Sequence, residues 1–192
     1  QQGPDGAKAD SRMAAVGLVY NPQSKHDDPL PRGNDDVRYL SGFYSLDALG
    51  SELRRQAAQV GWDDLEQQLA ISDAGKGLED FQRQNFALAE RMLDFFHASE
   101  HVGRMAQAVH PRDPEQAKRQ TGDWCHTLKH TGGAALRSEW EQLDTEGWSE
   151  ERRETYRVEL GYFRNHEHKM DYPRYVANGW QIGSGPIESA CK

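Results

Sequence analysis

Apolar residues fall into two regimes along the chain. In the first half short apolar runs alternate with helically spaced stretches, and in the second half only the helical spacing persists. Met13 to Tyr20 reads as a buried strand ended by Asn21-Pro22, and the stretch up to about Gly42, with Pro22, Pro29, Pro31 and Gly33, reads as surface loop. Ser45 to Val60 reads as a helix: Ser45 can cap it, Leu46, Leu49, Leu53, Ala57 and Val60 share a face, and Gly61 stops it. Leu69-Ala70-Ile71-Ser72 then forms an apolar run ending on Asp73, and Met92-Leu93-Asp94-Phe95-Phe96-His97 forms another with Asp94 inside it. Gly77 to Phe86, helical in its spacing of Leu78, Phe81 and Phe86, separates them. Strand, helix, strand implies parallel neighbours joined by a right-handed crossover.

From residue 98 to about 170 the spacing is helical throughout, punctuated by Pro114 and Gly132-Gly133, with a long amphipathic helix opening at Ser149. Residues 171 to 185 read as loop; Pro186 suits a first helical position, placing Glu188 in a first turn. The expected fold is α/β, a mixed sheet with flanking helices and a helical insertion. The expected segments are a core over 1–97, the insertion over 98–170, and a loop with the start of a C-terminal helix over 171–192.

Composition narrows the class. Five Trp, seven Tyr and six Phe in 192 residues indicate a folded chain. No run approaches the roughly 18 apolar residues that a membrane helix needs, so no membrane partner is expected. Cys125 and Cys191 follow no disulfide framework, which points to a reducing, cytoplasmic setting. The net charge of −8 argues against a surface that binds nucleic acid over its whole extent.

The acids carry the candidate chemistry. Asp73 stands at a strand's C-terminal end, where open α/β sheets place ligands, though a turn or cap aspartate has the same signature. Asp94, within an apolar run, must be paired, hydrogen-bonded or metal-bound to offset desolvation. His97 could orient a carboxylate; a packed structural histidine is the plainer reading. Glu188 is favoured in a helical first turn in any case, and the Gly183-Ser184-Gly185 before it lets backbone approach a bound group. His97-Ala98-Ser99-Glu100-His101 also matches the His-x-x-Glu-His zinc-peptidase pattern, with Glu139, Glu141 or Glu167 as the required downstream ligand. His166 and His168, like Cys125, His126 and His130, lack zinc-site spacing and read as packing or solvated groups. Arg152, Arg153, Arg157 and Arg164 give the long helix a partly basic side, a solvated face or a DNA-backbone contact.

Taken together, Ile71-Ser72-Asp73, Leu93-Asp94-Phe95-Phe96-His97-Ala98, Met170-Asp171-Tyr172-Pro173 and Ile182-Gly183-Ser184-Gly185-Pro186-Ile187-Glu188-Ser189-Ala190-Cys191-Lys192 resemble bacterial insertion-sequence transposases of the Kra type. The opening Gln1 to Asp10 is similar as well. These enzymes belong to the DDE transposases, and the resemblance implies a ribonuclease H-like fold and three acids binding two Mg²⁺ or Mn²⁺ ions. Asp73 would be the second acid and Glu188 the third, with Asp94 and His97 supporting them; Asp94 as the second acid is the alternative. The first acid is expected on a strand upstream of Gln1, neither Asp5 nor Asp10 being assigned, and a fragment without it is expected to be inactive. The implied partner is DNA, at transposon ends and target, bound by a homo-oligomer in the bacterial cytoplasm. Two ions about 4 Å apart, each about 2.1 Å from its carboxylate oxygen, would bring Asp73 and Glu188 within roughly 8 Å. The rival readings are a zinc metallopeptidase and a non-catalytic helical interaction module.

Overall fold

The computed structural model describes residues 15–20 and 37–185. The expectations placed on 1–14, on the loop over 21–36 and on Pro186, Glu188 and Cys191 lie outside the described residues. What is described is mixed α/β, with helices predominating over two two-stranded sheets. Its residues group into two compact units.

The first unit holds β1 (Ala15–Tyr20) and β2 (Val37–Gly42), antiparallel with Gly17 opposite Leu40 and Val19 opposite Arg38. Alternation along β1 buries Gly17 and Val19 on one face. Helix α1 (Leu46–Gln59) lies on that face: a Cβ at Gly17 would stand 2.9 Å from Leu53 Cδ1, so the glycine admits the leucine. Ser45 caps α1 by accepting from the Ala48 N–H, as the sequence predicts. Trp62 packs edge-on against Phe86 at 5.2 Å and closes this small core.

The second unit contains β3 (Leu69–Ser72) and β4 (Glu90–Leu93), parallel, with Leu69 opposite Glu90 and Ser72 opposite Leu93. Helix α2 (Leu78–Asn85) connects them and is divided between the units, Glu79 falling in the second and Asp80 in the first. Five helices follow: α3 (Phe95–Val109), α4 (Pro114–Thr131), α5 (Gly133–Trp140), α6 (Glu150–His166) and α7 (Tyr172–Ala177). Ser149 caps α6, and Pro114 opens α4 behind the Asp113 cap. Met92, Val102, Leu128, Trp140, Phe163 and Tyr172 are among the side chains of their shared core.

Three expectations are corrected. The stretch ending at Gly42 is not loop throughout, because Val37–Gly42 pairs with β1. The second apolar run is strand only to Leu93: Asp94 caps α3, so Phe95, Phe96 and His97 are helical and the helical region opens before residue 98. Residues 171–185 include α7, which tolerates Pro173 because a first-turn residue needs no N–H donor. In the compact units β3 and β4 group with the helices that share their core.

The junction of α4 and α5 is tightly constrained. Gly133 donates its N–H to the Met170 carbonyl at 3.1 Å, and a Cβ there would lie 2.7 Å from both Cβ and Sδ of Met170. Gly133→Ala is therefore expected to destabilise the protein by about 1–3 kcal/mol through overpacking, measured by urea denaturation. A variant as stable as the parent would show that Met170 yields freely.

Candidate functional site

The parallel pair sets the site's geometry. The Asp94 N–H donates to the Ser72 carbonyl at 2.8 Å, extending the ladder beyond the Ser72–Leu93 pair. Asp73 and Asp94 thus follow the last paired residues of adjacent strands and stand at one C-terminal edge. Asp73 is exposed and turns back on itself, with Oδ1 accepting from the Gly75 N–H at 2.9 Å. The intervening Ala74 has φ 57°, a left-handed conformation that costs a non-glycine residue of order 1 kcal/mol.

Asp94 is buried. Its Oδ1 accepts from the His97 N–H at 3.0 Å, capping α3, whereas Oδ2 is buried without a hydrogen-bond partner. This cap is the physical content of the Asp-x-x-His spacing, because the backbone N–H three residues on is the one an N-cap carboxylate reaches. The His97 ring lies edge-on to His101 at 5.1 Å, with Nδ1 3.5 Å from Glu100 Oε2. The Phe95 N–H donates to the Ile182 carbonyl at 2.9 Å, which fastens the chain shortly before Glu188 to the residue following Asp94.

One turn further along α3, His101 enters a buried ionic group. Its Nδ1 lies 2.5 Å from Glu159 Oε2, and Arg104 Nε donates to Glu159 Oε1 at 2.7 Å. Burial alone would raise the Glu159 carboxyl, but hydrogen bonds from His101 and Arg104 outweigh it and hold the group below the usual carboxylate range. With Glu159 ionised, the proton of the pair belongs on His101 Nδ1. The Tyr162 ring stacks on His101 at 3.4 Å with 13° between planes, and its hydroxyl is buried without a partner. Burial, then the charge of Asp73, with smaller contributions from Glu159 and Asp94, push this phenol well above the ordinary tyrosine range against the opposing Arg104. His166, tilted against Tyr162 at 4.6 Å, is held below the ordinary histidine range by burial and by Lys169 and His168.

The zinc-peptidase ligands are not assembled. His97 and His101 do stand one turn apart, but Glu139 accepts from Trp124 Nε1, Glu141 from Arg137 and Arg164, and Glu167 from Arg137. Among the described residues no three His, Cys, Asp or Glu side chains are gathered as a metal site. The acid pair is completed, on the resemblance, by groups outside the described residues, so the Asp73–Glu188 separation is not defined. Within the pair, the hard oxygen donors and the orphaned Asp94 Oδ2 suit a cation such as Mg²⁺ or Mn²⁺.

The basic side of α6 is largely spent locally. Arg152 donates to the Ala108 and Val109 carbonyls at the end of α3 and lies over Trp148, Arg157 pairs with Glu150 and Glu154, and Arg164 pairs with Glu141. No helix of the described residues is long and apolar enough to cross a membrane.

Glu159, Arg104 and Tyr162 do not emerge from sequence motifs. The available signal is Glu159 itself, an acid inside the apolar stripe formed by Tyr156, Leu160 and Phe163. No family model, curated protein or solved structure matches the chain.

Proposed function

We propose that this chain carries part of the catalytic centre of a metal-dependent DNA transposase with a ribonuclease H-like fold. The observation that carries the reading is the shared edge, where parallel β3 and β4 deliver Asp73 and Asp94 side by side. The element order also supports it: two antiparallel strands, a helix, then a strand, helix and parallel strand followed by helices suits such a fold with a helical insertion. The bond from Phe95 to Ile182 adds that the segment leading to Glu188 is tied at this edge.

In this reading Asp73 and Glu188 are metal-holding acids. Two Mg²⁺ or Mn²⁺ ions, when bound, supply activation of a nucleophilic oxygen and charge stabilisation at the phosphorus being displaced. Asp94 caps the start of α3 and donates its N–H across the ladder to the Ser72 carbonyl. His97 packs edge-on against His101 and Tyr162. The substrate is DNA at transposon ends and target, and the working form is a homo-oligomer on DNA.

Iron-mediated backbone cleavage tests the metal assignment on the chain itself. Fe²⁺ in place of Mg²⁺, with ascorbate and peroxide, is expected to cut the backbone near Asp73 and near Glu188, and Asp73→Asn is expected to lose both cuts. Cuts elsewhere, or a pattern indifferent to Asp73→Asn, would refute the assignment.

A further inference from the structure

We draw no further inference here: the strongest candidate, the outward apolar face of the β1–β2 pair on which Val16 and Tyr39 are exposed, carries nothing because nothing among the described residues shows what covers it.

Discussion

Trp140→Ala is expected to lower the free energy of unfolding by about 3–5 kcal/mol, the range for deleting a large aromatic side chain from a packed core. Trp140 is fully buried at the C-terminal end of α5. Its ring lies 4.4 Å from Phe163 of α6 and 5.5 Å from Trp124 of α4, so one side chain joins three helices. The Tyr156 hydroxyl also donates to the Trp140 carbonyl at 3.2 Å, fixing the backbone that the indole would leave above a cavity. The indole N–H is itself buried without a partner, unlike that of Trp124, which donates to Glu139. Volume, not hydrogen bonding, therefore dominates, and Trp140→Phe should cost well under half as much as the alanine variant. Urea denaturation followed by circular dichroism checks both variants: the midpoint should fall with an unchanged slope. An alanine variant within about 1 kcal/mol of the parent would mean that α4, α5 and α6 collapse readily into the space.

Where a local signal decides an element, the sequence is readable. Ser45 and Ser149 each cap a helix because a hydroxyl before an amphipathic run has a backbone N–H within reach three residues on. The Leu69–Ser72 strand ending before Asp73 is equally local. Strand β2 is not, because only Leu40 of its six residues is buried and its identity comes from pairing with β1. Helix α7 is hidden by its length and by Pro173, although Tyr172 and Tyr175, three apart and both buried, mark its inner face. Asp94 shows two signals in competition: the apolar residues on either side suggest continued strand, whereas an aspartate three residues before an available N–H suggests a cap, and the cap prevails. At the site, Asp73 can be read from its strand end, whereas Asp94 reads only as an acid inside an apolar run. The Glu159–His101 pair cannot be read, because it closes only when α6 packs on α3.

That pair supports the second large effect: Glu159→Ala is expected to cost about 3–5 kcal/mol, the range for removing one partner from a buried ion pair. Arg104 is partly exposed and can recover water, so the penalty concentrates on His101, whose Nδ1–H would be left inside the protein without an acceptor. Glu159→Gln keeps the shape and one acceptor oxygen, and should cost less than the alanine variant. The pH dependence follows from the direction of the shift. The folded Glu159 carboxyl lies below its unfolded value, so its contribution is complete above about pH 4.3 and is lost as the pH falls through the lower folded value. The same sign applies to His166: it is depressed in the folded state, so it adds stability above about pH 6.5 that is lost as acidification drives the proton on. The stability gap between parent and Glu159→Ala should therefore persist from neutral pH to about pH 5 and narrow below about pH 4. Thermal denaturation across that range checks it, and a gap that widened on acidification would mean that Glu159 is held protonated in the folded protein.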